Sequence, residues 1–260
     1  LGSTQILLQS ASDAFPDGLA NSSGTLGHYL MDHHAYIGAM GGISGMKDTF
    51  YYGQRPASVY IPRFRNVQRN DQEYLRGFSF ENYTGRSDWD RGASQPGLGA
   101  EWKESLTKPG DWWAYFEAYG ETLPEFTNQV TLSKTEKDQW GLPVLEVDMA
   151  YGDNEMKMRK DMQASAVEML NNAGMEWVMP FDYGAIPGTV IHEMGTARMG
   201  KDPKTSVLNK WNQAHDVLNL FVTDGSCMAS SPCQNPSLTY MALTARACDY
   251  AVKQLKAGEI

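Results

Sequence analysis

The chain has 260 residues, 42% of them hydrophobic and 20% charged, an ordinary globular composition sufficient for one large domain or two smaller ones. Its 22 Lys and Arg against 31 Asp and Glu leave a formal charge of −9, the wrong sign for nucleic acid or an anionic membrane surface as main partner. No apolar run approaches the roughly 20 residues of a membrane span, and Cys227, Cys233 and Cys248 form neither a disulfide framework nor a Cys-x-x-Cys pair, so they read as thiols.

The opening LGSTQILLQS predicts a short helix over Ser3 to Ser10, capped by Ser3 or Thr4, with Ile6 and Leu7 inward. FPDGLANSSGTLGHYLMDHH reads as loop from its Gly, Pro, Asn and Asp. Its Asp32-His33-His34 invites a phosphoesterase reading, but no companion Asp motif exists, which leaves a capped turn or lid contact. AYIGAMGGISGM reads as flexible and glycine-rich, and SVYIPRF and GFSFENYTG, between Gln54 and Arg91, as strands. Trp89, Trp102, Trp112 and Trp113 read first as core aromatics, with stacking on sugars as the alternative.

Gln129–Leu132 and Val144–Met149 alternate in polarity, predicting two strands joined by a polar loop. Asp153 caps a helix whose inner face is Met158, Met162, Ala166, Met169 and Leu170, and Gly174 ends it. NLFVTDG, residues 219–225, reads as a short buried strand. Asn235 at the cap and Pro236 in the first turn open a helix through Leu238, Ala242, Ala245, Val252 and Leu255, ending near Gly258. The fold class is α+β. From Tyr51 to Met179 a mostly antiparallel sheet with helices on one face is expected, because its strands alternate rather than run continuously apolar.

Chemistry concentrates in TVIHEMGTARMG, residues 189–200. Glu193 beside His192 suggests a zinc helix, but Gly195 and Thr196 occupy the place of the second histidine in H-E-x-x-H, so no metal site is expected. A helix opened by Asn235-Pro236 directs free N–H groups outward and favours a negative charge there.

Taken in order, HEMGTARMG, NLFVTDGS and NPSLTYMALTARACDYAV resemble the C-terminal signature of the glucose–methanol–choline (GMC) oxidoreductases. GSTQILLQS through LMDHH is similar to the segment that follows the flavin-binding portion in that family, and NQVTLSKTEKDQWGLPVLEVD to its substrate-domain strands. The resemblance implies an FAD-dependent enzyme that oxidises an alcohol group of a sugar, polyol or related small molecule. It casts His192 as the base that takes the hydroxyl proton while hydride goes to flavin N5, and Asn235 as the holder of the substrate oxygen. It makes Asp224 and Gly225 a flavin-contacting turn, and the helix start at Asn235, Pro236, Ser237, Leu238 and Thr239 the partner of the flavin N1–C2=O edge. The family's G-x-G-x-x-G fingerprint is missing here. The resemblance therefore implies a C-terminal part, with residues 1–40 a remnant of the FAD-binding domain, 41–188 the substrate domain, and 189–260 the return to the FAD-binding domain. An upstream sequence or another chain would supply the remainder. A non-catalytic carbohydrate-binding or scaffold piece is the alternative, which retention of both His192 and Asn235 disfavours.

Overall fold

The structure is a computed structural model and describes residues 1–44, 58–184 and 186–260. In chain order its elements are α1 (Gly2–Gln9), β1 (His34–Ile43), β2 (Val59–Ile61), β3 (Phe78–Arg86), α2 (Gly99–Leu106), β4 (Trp112–Gly120), β5 (Gln129–Lys137), β6 (Pro143–Asp148), α3 (Asp153–Asn172), β7 (Trp177–Asp182) and α4 (Ser237–Ala257), with short 3₁₀ turns at Trp89–Ala93 and Gly225–Cys227. They form an α+β fold of two compact units. One comprises Ala35–Gly120 and Met156–Ala185, and the other Leu1–His34, Glu121–Glu155 and Ile186–Ile260. Gly45 and Met46 of the glycine-rich stretch, and residues 54–57 at the start of the strand-rich region, lie outside the described residues.

The first unit is a five-stranded sheet ordered β2-β3-β4-β1-β7, antiparallel in the β2–β3, β3–β4 and β1–β7 pairs. The expected antiparallel sheet is thus present. Met158, Met162, Ala166 and Leu170 recur every fourth residue of α3 and are fully buried with Ile37, Ala39, Phe78, Phe80, Ala114 and Ala118 of the strands. Each large side chain so buried stabilises by about 1.5–3 kcal/mol. Met169 is only partly buried.

The segment expected to be flexible is instead β1, second from the edge of the sheet. Its glycines serve close packing: a methyl group on Gly38 would lie 1.8 Å from the Phe116 carbonyl oxygen. β7, which no pattern signalled, pairs with β1 from Ile37↔Asp182 to Gly42↔Trp177.

The second unit has less regular structure. β5 and β6 pair antiparallel as expected. α1 starts at Gly2 with Leu1 at its cap, so Ser3 and Thr4, the expected caps, lie inside its first turn; Ser3 instead donates to Asp224 Oδ2 at 2.8 Å, and the Thr4 hydroxyl meets that of Thr196 at 2.7 Å. Leu7 is buried, but Ile6 points outward at 65% exposure. The strand expected over 219–225 is reduced to one bridge, Gln213↔Phe221. Among the described residues no longer ladder forms beside it, and its polar groups turn back on 212–217 instead. α4 buries Ala247, and Tyr240 and Leu243 of the same stripe pack on the core of this unit. The stripe expected inside is open: Leu238 is 77% exposed, Val252 48% and Leu255 65%. The helix is apolar on more than one side, so sequence periodicity alone does not select the buried face. Gly258 ends it in the left-handed conformation, φ 72°. Cys227 and Cys233 are buried thiols and Cys248 an exposed one.

Candidate active site

Three loop segments of the second unit are laced together by backbone hydrogen bonds. Met31 and Met194 exchange a pair at 2.8 Å each, and Thr196 N–H donates to His28. On the other side of the same strand-like run, the N–H groups of Gly195, Ala197 and Met199 donate to the carbonyls of Gly225, Ser226 and Cys227. The segment carrying His192 therefore lies between the Asp32-His33 segment and the Asp224-Gly225 turn. Gly195 takes φ +85°, and a methyl group there would sit 2.0 Å from the Tyr29 carbonyl, so a side chain is excluded.

Asp32 organises the histidine's backbone. Fully buried, it accepts the Val190 N–H on Oδ2 at 2.7 Å and the His192 N–H on Oδ1 at 3.1 Å. The same Oδ1 also takes the His33 N–H at 2.7 Å. Between the two clamped residues, Ile191 has φ 62°, a left-handed conformation that costs a β-branched residue roughly 1–2 kcal/mol. The carboxylate thus pins a strained turn from both sides and fixes where His192 departs from the chain. Burial pushes the Asp32 carboxyl up to about 6, against the lowering effect of its N–H donors and with Glu193 adding to the rise.

The half-buried His192 ring meets a second imidazole. Its Nδ1 lies 3.0 Å from His33 Nδ1, with the rings at 72° to each other. His33 is fully buried, and its Nε2 reaches the Pro232 carbonyl at 2.5 Å. Burial pushes the His33 imidazole down to about 4, and the neighbouring His192 adds to the fall. His34 is also buried, edge-on to Tyr151. The Asp32-His33-His34 motif is therefore no peripheral turn or lid. It is the interior of the site, and its signal in the sequence was three ionisable residues in a row between apolar stretches.

The other expected site residues gather beside this centre to different degrees. Asp224 accepts from Ser3, from the Ser226 N–H at 3.1 Å and from the Ser226 hydroxyl, fixing the turn that follows. Gly225 is packed so closely that a methyl group would lie 2.4 Å from the Glu193 carbonyl and 2.8 Å from Tyr240 Oη. Asp224 also lines a cavity of about 540 Å³ with Thr223, Tyr240, Met241, Thr244 and Ala245. At the start of α4, Pro236 has helical angles (φ −86°, ψ −4°) but stands at the cap by hydrogen bonding, and no side chain caps the helix. Asn235 therefore precedes the cap rather than forming it. The first intrahelical bond runs from Tyr240 N–H to Pro236 O at 3.0 Å, so the N–H groups of Ser237, Leu238 and Thr239 precede it, on exposed residues. Asn235 is exposed as well, and the Pro232 carbonyl held by His33 lies three residues before it.

In the sheet unit, Met40, Tyr83, Ser87, Trp113, Tyr115 and Trp177 line a separate, mostly apolar cavity of about 450 Å³. Trp113 is thus a cavity wall rather than core, whereas Trp89 is 71% exposed.

A family model described as GMC oxidoreductase matches residues 124–244. The 2-methyl-1,2-propanediol dehydrogenase of Mycolicibacterium austroafricanum is 35% identical over 259 residues, covering 96% of this chain and 46% of that protein. The large subunit of fructose dehydrogenase from Gluconobacter japonicus is 30% identical over 255 residues, 98% of this chain and 46% of that one. A formate oxidase variant from Aspergillus oryzae shares the fold, with a TM-score of 0.57 at 15% identity over 90% of this chain and 48% of its own. The chain belongs to the GMC oxidoreductases. It spans about half the length of the curated relatives it matches.

Proposed function

We propose that the chain contributes the proton-accepting centre of an FAD-dependent oxidoreductase acting on the alcohol group of a sugar, polyol or related small molecule. The observation that carries this reading is the clamped pair of His192 and His33 beside the Asp224-Gly225 turn. An imidazole titrates near 6.5 in water, so it is mostly neutral and able to accept a proton at pH 7. In this reading His192 takes the hydroxyl proton and Asn235, with its exposed amide, hydrogen-bonds the substrate oxygen.

The residues present suit a flavin. Uncapped N–H groups at Ser237, Leu238 and Thr239 lie at the positive end of a 21-residue helix, where an anionic ring edge is stabilised. Asp224 and Gly225 form the adjoining turn, and Pro236 sets the helix direction. Bound there, FAD supplies the hydride acceptor. The dinucleotide fingerprint that this chain lacks is supplied by an upstream sequence or another chain, and the open α4 stripe of Leu238, Met241, Val252 and Leu255 is a surface for it to cover. In this reading 1–40 and 189–260 belong to the flavin-binding part and 41–188 to the substrate domain. The aromatic cavity around Trp113 is compatible with a ring-shaped substrate. The two relatives described above carry a diol and a sugar in their names, which supports an alcohol substrate.

Stopped-flow flavin reduction tests the proposal. His192→Ala in the holoenzyme lowers the rate by at least about a hundredfold, the scale of a lost positioned base. Asn235→Ala lowers it less, since a hydrogen bond but no proton acceptor is removed. A near-normal rate in the His192 variant with flavin still bound overturns the reading. Tight stoichiometric binding of FAD to this chain alone would overturn the external fingerprint.

A further inference from the structure

We infer that His33 is a positioning residue that selects the tautomer of His192, holding the proton on His192 Nδ1 and leaving the lone pair on Nε2. This rests on His192 being the base. The logic follows from which atoms can donate. The Pro232 carbonyl has only lone pairs, so the short contact from His33 Nε2 requires the proton there. A second proton on His33 would make it a fully buried cation against another ring. Burial holds this imidazole far below its ordinary titration range, to about 4, so at neutral pH it carries a single proton. Its Nδ1 is then a lone pair. That lone pair faces His192 Nδ1 at 3.0 Å, and two lone pairs at this distance repel, so His192 Nδ1 bears the hydrogen. The remaining nitrogen of His192, Nε2, is left as the acceptor.

A chain of three polar groups thus runs from a main-chain carbonyl to the base. When His192 accepts a proton on Nε2, the Nδ1–H bond to His33 persists and strengthens, because the donor becomes charged. The Asp32 carboxylate, which already holds the His192 backbone N–H at 3.1 Å, is a nearby negative charge that favours the imidazolium. Had His33 faced His192 with a donor, the site would present Nε2–H and no base. Pro232 is therefore part of the device, although its side chain does nothing in it.

The test is nitrogen-15 spectroscopy of the holoenzyme labelled at histidine, together with two variants of equal shape. At pH 7.5 the His192 signals show a protonated Nδ1 and an unprotonated Nε2, with the pattern reversed in His33. An Nε2–H signature on His192 in the unaltered enzyme overturns the inference, whatever the activity. His33→Asn keeps an acceptor near the Nδ1 position and His33→Leu keeps the shape without it. Flavin reduction in the Leu variant falls roughly tenfold, the scale of one hydrogen bond, and a His192 Nε2–H population appears. The Asn variant recovers most of the rate and the Nδ1–H signature. Equal behaviour of the two variants overturns the inference. If the Leu variant does not fold, the spectrum of the unaltered enzyme decides. An unimpaired His192→Ala variant alongside the expected spectrum would defeat the base assignment while leaving the tautomer assignment standing.

Discussion

In the sheet unit the buried cluster is built from Phe78, Phe80, Met158, Met162 and Leu170, whose packing asks for no hydrogen-bond partner. The unit holding His192 buries Asp32, His33 and Thr196 alongside its apolar residues, and each of these polar groups is hydrogen-bonded. One region packs its core from regular elements. The other adds to an apolar core of its own a set of hydrogen-bonded polar groups on loops, where a lost partner leaves a buried donor or acceptor bare. The difference teaches that the region with less regular structure is the one whose geometry is more exactingly specified, because hydrogen bonds are directional and apolar contacts are not.

The largest expected effect sharpens the apolar side. Met162→Ala leaves a cavity at a fully buried position and lowers unfolding free energy by about 2–5 kcal/mol in denaturant titrations. A loss under about 1 kcal/mol would mean that this core collapses around the gap.

Next comes pH. The Asp32 carboxyl is raised in the fold to about 6, so its contribution is present below about 4 and is lost as pH rises through 6. The His33 imidazole is depressed to about 4, so its contribution is present above about 6.5 and is lost as pH falls through 4. The two oppose each other across the same window. Relative to the unaltered chain, His33→Leu is therefore more damaging at pH 6.5 than at pH 4.5, by roughly 2–3 kcal/mol. Melts at the two pH values measure this, and an equal loss at both would show that the His33 ring is not buried in neutral form.

A smaller change probes the turn. Gly225→Ala forces a methyl against the Glu193 carbonyl and Tyr240, costing about 1–3 kcal/mol, readable as a lowered melting temperature. The smallest expected effect comes from Ile191→Gly. Relief of left-handed strain, about 1–2 kcal/mol, is set against the greater freedom of glycine in the unfolded chain, about 0.4–1 kcal/mol. Thermal stability should hold or rise slightly, since the side chain is 79% exposed. A drop beyond about 1 kcal/mol would show that Ile191 has a packing role the clamp by Asp32 does not explain.

Patterns that depend on neighbours in the chain were legible from residues alone. The methionine stripe of α3, the β5–β6 pair, the strand at Phe78 and the glycine end of α4 all follow from local spacing and turn chemistry. The family also came from motif order, which needs no coordinates. What escaped depends on partners distant in sequence. The glycines of β1 looked flexible because the Phe116 carbonyl that demands them is nearly eighty residues away. The buried stripe of α4 was chosen by the core it meets, not by its own periodicity. Asp32 and His33 were passed over for the same reason: their partners, Val190, His192 and Pro232, lie about 160 to 200 residues further on. Sequence determined which side chains could do chemistry. Only tertiary contact decided which nitrogen faces which, because a hydrogen bond is settled by distance and direction in space and leaves no periodic trace along the chain.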